Sequence, residues 1–256
     1  MMKFGILGEA KIARNYLAPA ILEAGHEITH IGRRNPTQKK LPEIYQDVVE
    51  TNYDDLLSEP SIDAIYIPLP NHLHVPYSIA ALNAGKHVLC EKPIALNAEE
   101  ATQLLEVQRE TEKLIVEAFM VRDNPQWHWV RDRIQEGKIG DLRAIQSTFS
   151  YMNRDPKNIR NILDIGGGGI YDIGCYPVFI SRMLFGEEPL EVSAMIEKDS
   201  DFQTDRLSSG LMKFPSGHSS FICSTQLVPY QRVQIFGTKK RIEVEVPFNA
   251  PNQIPC

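Results

Sequence analysis

Two segments of this sequence carry side chains suited to acid–base chemistry, and the first is built around Lys92. This lysine and Pro93 follow a short apolar run, residues 88–90, which predicts a buried strand. Ligands of open α/β sheets bind beyond the carboxyl ends of the strands, where Lys92 would emerge. Proline restricts the residue before it to extended or turn backbone. The alternative interpretation is an ordinary solvated turn.

The second segment begins with four glycines, residues 166–169, and continues through Asp172 and Tyr176. Such a loop lets the backbone come very close to a ligand. Asp172 and Tyr176 share one face of the helix predicted to follow, and Pro177 is tolerated only if that helix has barely begun. An ammonium group stabilises a tyrosinate and an aspartate orients a hydroxyl, so Lys92, Asp172 and Tyr176 predict an acid–base unit. The alternative is a core tyrosine and a helix-capping aspartate.

The N-terminal segment predicts a dinucleotide site. A strand at residues 3–7 is followed by Gly8 at a turn and then by a helical pattern, with Ala13 at the close-packing position. Small residues let a pyrophosphate approach the helix N-terminus, which favours an anion. Ala10 replaces the middle glycine of the fingerprint. Glu9 adds a carboxylate that would repel a phosphate unless it points away, and a generic turn is the alternative interpretation.

The end of the second predicted strand, residues 27–32, indicates which cofactor binds. An acidic ribose ligand usually stands about 20 residues beyond the glycine turn. Here Arg33 and Arg34 occupy that place. A guanidinium suits a ribose 2′-phosphate through paired hydrogen bonds, so NADP(H) is predicted over NAD(H), with NAD(H) as the alternative. Both arginines could instead be ordinary surface charges.

The elements that must position these residues change character midway. Alternating strands and helices in the first half predict a Rossmann-type, doubly wound parallel sheet. Strands dominate the second half, which predicts an α+β domain with a largely antiparallel, open sheet. We expect an NAD(P)-binding domain at 1–120 and a substrate and oligomerisation domain at 121–256. The predicted strands are 3–7, 27–32, 64–68, 88–90, 114–118, 142–151, 190–197, 207–214, 219–226, 232–236 and 241–246, and the later helices are 74–84, 98–111, 126–136 and 173–184.

The composition of the chain argues against several classes of function. The chain has 256 residues and a net charge of −6 with no basic patch, which argues against a nucleic-acid partner. No apolar run is long enough to span a bilayer, and the first strand begins at once, so neither a membrane partner nor a signal peptide is expected. Scattered cysteines without metal-ligand spacing predict free thiols, no metal and a cytoplasmic location. They are Cys90, Cys175, Cys223 and Cys256.

Several motifs occur in a characteristic order over nearly the whole chain. They are Gly5-Ile6-Leu7-Gly8 with Lys11-Ile12-Ala13, Pro70-Asn71-His72-Leu73-His74, Glu91-Lys92-Pro93, residues 117–122 (EAFMVR), residues 168–177 (GGIYDIGCYP), Thr204-Asp205 and residues 211–217 (LMKFPSG). With these motifs the chain resembles the family of glucose–fructose oxidoreductase, inositol dehydrogenase and rhizopine-catabolism proteins.

The resemblance implies roles for individual residues. Lys92 would lie between nicotinamide and substrate, preceding a cis proline bond. Asp172 would hold substrate hydroxyls, Tyr176 would be the general acid or base, and Arg160 would reach the substrate. A tyrosine rather than a histidine at position 176 is typical of the branch with xylose dehydrogenase and dihydrodiol dehydrogenase. The expected cofactor-binding residues are Gly8, Ala10, Lys11, Ile12, Arg33, Arg34, Pro70, Asn71, His74, Glu91, Lys92 and Arg122.

The predicted activity is hydride transfer between NADP(H) and a hydroxyl or carbonyl carbon of a sugar or cyclic diol, in a homodimer or higher homo-oligomer. The alternative is a non-catalytic NAD(P)-binding sensor or transcriptional regulator of the same fold, which loss of the acid–base residues would favour. Two departures from the family pattern stand out besides Glu9. Gln203 occupies a position that is often glycine, and the chain ends at Cys256, where such proteins usually continue. We therefore expect an open strand edge that either missing residues or a partner subunit would cover.

Overall fold

The computed structural model describes residues 1–36 and 40–250. The chain divides into two compact units, Met1–Ala118 and Phe119–Cys256. The functions assigned above to residues 1–120 and 121–256 stay predictions. The expectations about the cysteine at position 256 and about the chain end lie outside the described residues.

The first unit contains the predicted parallel sheet. Its strands are β1 (Lys3–Leu7), β2 (Glu27–Gly32), β3 (Val49–Thr51), β4 (Ala64–Ile67), β5 (His87–Glu91) and β6 (Ile115–Ala118). Its helices are α1 (Ala18–Glu23), α2 (Tyr53–Ser58), α3 (His74–Asn83) and α4 (Ala98–Thr111). Within the described ranges the sheet has six strands in the order β3-β2-β1-β4-β5-β6, all parallel. The doubly wound prediction is confirmed, and the order changes direction between β1 and β4.

Local sequence accounts for most of these elements. Strand β4 is buried along its whole length and is mainly aliphatic, as a central parallel strand must be. The Asn97 side chain accepts a hydrogen bond of 2.8 Å from the Glu100 N–H and so caps α4, a role for which asparagine is well suited. The short β3 and α2 were not predicted. The first helix differs as well, because it opens with a π-helical turn, Ala13–Leu17, before α1 begins.

The second unit holds the predicted, largely antiparallel sheet, which proves to contain one parallel pair. Its strands are β7 (Leu142–Met152), β8 (Glu191–Lys198), β9 (Asp205–Lys213), β10 (His218–Ser224), β11 (Gln226–Gly237) and β12 (Arg241–Val244), and its helices are α5 (Pro125–Gln135) and α6 (Cys175–Phe185). In the described part of the chain the strand order is β12-β11-β7-β10-β9-β8, and β10 pairs with β7 in parallel while the other pairs are antiparallel. Strand β12 lies at one edge.

One strand boundary was predicted wrongly. The run expected at 219–226 ends at Ser224, and β11 begins at Gln226, well before the predicted start at residue 232. The earlier start was missed because Pro229 cannot donate a hydrogen bond to a neighbouring strand, and a proline in a sequence therefore argues against a strand. The structure accommodates it where the register of β11 against β7 shifts, between Gln226 and Tyr230.

The turn between β8 and β9 is organised by the buried carboxylate of Asp199. One of its oxygens accepts the N–H groups of Asp201 (2.8 Å) and Phe202 (3.0 Å), and the other accepts the Gln226 side-chain amide (2.8 Å). These hydrogen bonds lower the pKa of Asp199 to about 2. Gln203 in the same turn has a φ of +59°, which explains why a glycine suits this position.

Replacing Asp199 by Asn removes the charge that the two N–H groups bind, so we expect a melting temperature lower by a few degrees near neutral pH. Because folding lowers the pKa, the stabilisation is complete above the ordinary aspartate pKa and is lost as pH falls towards about 2. The difference in melting temperature between the two proteins should therefore shrink over that range. A difference that stays constant with pH would contradict this account.

Candidate active site

The turn after β1 has the conformation that a dinucleotide-binding turn requires. Gly8 has a φ of +99°, and its N–H donates to the Gly32 carbonyl oxygen at 2.8 Å, which joins the carboxyl ends of β1 and β2. A Cβ atom at Gly8 would come within 2.9 Å of the Leu69 side chain, so any larger residue at this position would clash with Leu69. Ala10 is partly buried behind the turn, and Lys11 and Ile12 are exposed.

The other predicted cofactor loops of this unit leave the same edge of the sheet. Pro70 and Asn71 lie in the connection between β4 and α3, with the Pro70 carbonyl oxygen accepting the Leu73 N–H at 2.8 Å. Gly8 and Pro70 thus flank the point where the strand order changes direction, the usual position of a dinucleotide in such folds. The left-handed Gly8 turn at this switch point fits an NAD(P) cofactor.

Lys92 and Pro93 follow β5 at this edge, and the bond between them is cis, as predicted. Two contacts hold the loop directly after this bond. The Glu117 carboxylate of β6 accepts the Ile94 N–H at 2.9 Å, and the His74 ring contacts the Pro93 carbonyl oxygen at 2.7 Å. The backbone that presents Lys92 is therefore held by side chains from two other elements.

His74 serves as an anchor in this arrangement. Its ring is buried, and its second nitrogen contacts the Leu69 carbonyl oxygen at 2.7 Å. Burial lowers the pKa of His74, although the two carbonyl contacts oppose the shift. The ring thereby ties the loop after β4 to the loop after β5. Its contact with the cofactor stays a prediction.

Tyr66 is a site residue that sequence reasoning missed. Its hydroxyl donates to the Glu91 carboxylate at 2.6 Å, and burial together with the Glu91 charge raises the pKa of Tyr66. A tyrosine in an otherwise aliphatic buried strand needs a hydrogen-bond partner, which was the available signal. The pair fixes Glu91, the residue before Lys92.

The predicted 2′-phosphate ligand Arg33 already has two carboxylate partners. It is 8% exposed and lies 2.9 Å from the Glu9 carboxylate and 2.7 Å from that of Glu50. The next residue, Arg34, is exposed. Glu9 was expected to repel a phosphate unless it pointed away, and the structure turns it towards Arg33.

In the second unit, Asp172 lies at the centre of a polar cluster. Its two carboxylate oxygens accept the Tyr151 hydroxyl at 2.5 Å and the Arg160 Nε at 2.7 Å. Burial and the Asp172 charge raise the pKa of Tyr151. Burial by itself would lower the pKa of Arg160. The effects of Asp172, followed by those of Tyr151 and Tyr176, are together larger, so the pKa of Arg160 is raised. The sequence predicted Asp172 and Arg160, whereas Tyr151 was missed as a site residue.

Tyr176 lies in the first turn of α6, as the position of Pro177 required. It is 7% exposed, and its ring packs against Phe119, Phe149 and Phe248 with centroids 4.7 to 5.6 Å apart. The ring is therefore a core aromatic, which the alternative interpretation anticipated. Asp172 lies one helical turn before Tyr176 on the same segment.

The glycine loop packs closely against other residues of this chain and does not face open space. Gly168 has a φ of +131°, and a Cβ atom there would lie 2.1 Å from an Asp205 carboxylate oxygen. The other Asp205 oxygen accepts the Ile170 N–H at 2.7 Å, and burial raises the pKa of Asp205. The interpretation that these glycines make room for a ligand is corrected here: at Gly168 they make room for Asp205, which holds the start of the helical segment bearing Asp172.

The remaining predicted residue, Arg122, is exposed and precedes α5. Lys92 belongs to the first unit, whereas Arg122, Arg160, Asp172 and Tyr176 belong to the second. Across the described residues, no group of three or more His, Cys, Asp or Glu side chains could hold a metal ion. None of the helices in those ranges is long and apolar enough to cross a membrane.

Two family models match this chain. One, described as an oxidoreductase family with an NAD-binding Rossmann fold, matches residues 2–119, and the other, the GFO/IDH/MocA C-terminal domain, matches residues 127–243. The chain belongs to the GFO/IDH/MocA oxidoreductase family. The resemblance found in the sequence is thereby confirmed.

Individual members of the GFO/IDH/MocA family match over nearly the whole chain. An uncharacterized oxidoreductase of Rhizobium meliloti is 44% identical over 100% of this chain and 78% of its own length. A D-xylose 1-dehydrogenase (NADP⁺) of Haloferax volcanii is 33% identical, over 97% of this chain and 77% of its own. The crystal structure of a 3-ketoreductase from Actinomadura kijaniata with NADP and TDP-benzene covers 98% of this chain and 78% of its own, with a TM-score of 0.92 and 29% identity.

The role of Gly168 in this GFO/IDH/MocA protein can be tested by substitution with alanine. We expect the free energy of unfolding to fall by about 3 kcal/mol, because the methyl group meets Asp205 and the backbone conformation is unsuited to alanine. Gly137 is the matched control, since its φ is +68° but nothing lies within 4 Å of an added Cβ. Gly137→Ala should cost only about 1 kcal/mol in denaturant unfolding. Equal costs at the two positions would contradict the assigned contact.

Proposed function

We propose that this protein is an NADP(H)-dependent oxidoreductase that interconverts a hydroxyl and a carbonyl group on a sugar or cyclic diol. The observation that carries the proposal is the polar cluster in which the largely buried Asp172 carboxylate binds both Tyr151 and the more exposed Arg160, with Tyr176 four residues further along the same helical segment. A regulator that only binds nucleotide has no need for such a cluster. The bound cofactor would supply the hydride chemistry.

The first unit would hold the cofactor. The Gly8 turn would bring backbone N–H groups towards a pyrophosphate, and Arg34, together with Arg33 held between Glu9 and Glu50, would offer positive charge near a ribose 2′-phosphate. NADP appears in the name of the Haloferax enzyme and in the crystal structure of the Actinomadura enzyme, which supports NADP(H) for this chain, with NAD(H) as an alternative. The remaining predicted cofactor contacts, including Glu91 and Arg122, are proposed on the family pattern.

We propose that Lys92 stabilises negative charge on the reacting oxygen. Its backbone is held by the contacts of Glu91 with Tyr66 and of Pro93 with His74. A positioned ammonium acts without reorganising during the reaction, which makes such a group effective. The cis bond at Pro93 is part of the same held loop.

Tyr176 would exchange the proton with the substrate oxygen. The aromatic packing around its ring fixes the direction of the phenol. Asp172 accepts hydrogen bonds from Tyr151 and Arg160, so its first role is to hold these two groups. A carboxylate oxygen has a second lone pair, which leaves capacity for a substrate hydroxyl.

A related enzyme supports the choice of Lys92 and Tyr176. Crystal structures exist of two single variants of the Actinomadura 3-ketoreductase. One has a tyrosine replaced by phenylalanine, and the other has a lysine replaced by alanine. Those two positions are separated by the same number of residues as Lys92 and Tyr176 in this chain. We infer that the two pairs correspond.

We propose further that the protein acts as a homodimer or higher homo-oligomer in the cytoplasm. Exposed apolar side chains on β8 and β9, among them Val192, Met195 and Leu211, support association through the second sheet. The cysteines that the structure describes are free thiols, which agrees with a reducing compartment. Light scattering of the purified protein would test the oligomeric state.

The catalytic roles predict a clear kinetic result. The protein would be mixed with NADP⁺ or NAD⁺ and a panel of aldoses, inositols and trans-diols, and reduced nicotinamide would be followed by absorbance. With the substrate found, Tyr176→Phe and Lys92→Ala should each lower kcat by about a hundredfold or more. Tyr230→Phe, at a half-exposed tyrosine of β11, should leave kcat unchanged.

Other outcomes would redirect the proposal. Full activity in Tyr176→Phe would make this residue a core aromatic only and would overturn its assigned role. Tight NADP(H) binding with no turnover across the panel would favour the regulator of the same fold. Failure to bind either cofactor would contradict both functions.

A further inference from the structure

The ion pair between Glu9 and Arg33 joins two loops that a dinucleotide must contact. Glu9 lies in the turn after β1, between Gly8 and Ala10, and Arg33 directly follows β2. Their charged groups are 2.9 Å apart, and the side chain of Arg33 is 10% exposed and that of Glu9 24%. The pair is therefore shielded from solvent and is stronger than a surface ion pair.

A second carboxylate makes this group of charges acidic. Glu50 of β3 binds the other terminal nitrogen of Arg33 at 2.7 Å. One guanidinium thus faces two carboxylates, and the three groups together carry one negative charge. The Glu9 charge also acts on the buried Tyr45, where burial and then Glu9 raise the pKa to about 12.

This arrangement bears on the adenosine ribose of the cofactor. In dinucleotide-binding folds the pyrophosphate lies at the first turn, and the ribose 2′ group meets the end of the second strand. A ribose hydroxyl can donate a hydrogen bond to a carboxylate, whereas a 2′-phosphate is repelled by it. The phosphate would also have to compete with Glu9 for the Arg33 guanidinium.

We propose that Glu9 is a specificity-determining residue that weakens binding of the 2′-phosphate by holding Arg33, so that NADP(H) is favoured over NAD(H) only narrowly. The inference rests on the proposed function, because it concerns the cofactor of that reaction. The inference assigns opposite effects to Arg34 and Glu9. Arg34 promotes binding of the 2′-phosphate, while Glu9 restrains it.

The test is the dissociation constant of NADPH and of NADH, measured by fluorescence titration without substrate. Glu9→Gln keeps the shape of the side chain and leaves Glu50 on Arg33, so the fold should persist, and Glu9→Ser is a second variant with the same charge change. Each should tighten NADPH binding by about tenfold and leave NADH binding unchanged or weaker. The gain should shrink at high ionic strength.

A matched control is Glu27→Gln, which makes the same change of net charge at the opposite end of β2. It should alter neither dissociation constant. Adenosine 2′,5′-bisphosphate and adenosine 5′-monophosphate serve as probes without nicotinamide, and Glu9→Gln should improve binding of the bisphosphate alone.

Several results would overturn the inference. An equal change for NADPH and NADH would place Glu9 near the pyrophosphate, which both cofactors share. An unchanged NADPH constant would show that Glu9 does not oppose the 2′-phosphate. If the unaltered protein bound neither cofactor, the proposed function would fail together with the inference, whereas binding of both with an unaffected ratio would overturn the inference alone.

Discussion

The change in strand order between β1 and β4 is the constraint on which the candidate cofactor site depends. Parallel strands place their carboxyl ends at one edge, and loops that leave in opposite directions open a crevice there. Gly8 and Pro70 flank this point, and Lys92 follows the next strand. The glycine turn, the arginines after β2 and the lysine loop share one edge because the strands are parallel, and the change in strand order opens the crevice beside the first of these loops.

Most of this edge could be predicted from the sequence because its signals are local. Aliphatic runs such as residues 64–67 can only be buried strands, and a glycine or a lysine placed directly after such a run must lie at its carboxyl end. The cap at Asn97 is equally local. These positions depend on neighbours a few residues away, which the sequence displays directly.

The groups that hold the site depend on contacts between residues far apart in the chain. Tyr66 binds Glu91, and Tyr151 binds Asp172, across 25 and 21 positions. The Trp127 indole donates to the Pro247 carbonyl oxygen, 120 positions away, which places Phe248 against the Tyr176 ring. No local pattern specifies such partners. The sequence therefore showed which residues could do chemistry but not which residues position them.

The effect of the charged residues near the turn after β1 also could not be predicted from the sequence alone. Glu9 and Arg33 were each noticed separately, one as an obstacle to phosphate and the other as its ligand. Their pairing changes both interpretations, because the carboxylate is neutralised in part and the guanidinium is already engaged. A charge read from sequence has a sign, but its effect on a ligand depends on the partner that the fold provides.

The central claim is that this chain transfers a hydride between a nicotinamide and a substrate carbon. The most direct test uses NADPH that carries deuterium at both hydrogen positions of nicotinamide C4, with a keto-sugar or cyclic ketone that the protein reduces, followed by mass spectrometry and NMR of the product. We expect the deuterium on the carbon that bears the new hydroxyl. A product without deuterium at that carbon, or no product despite bound cofactor, would contradict the claim.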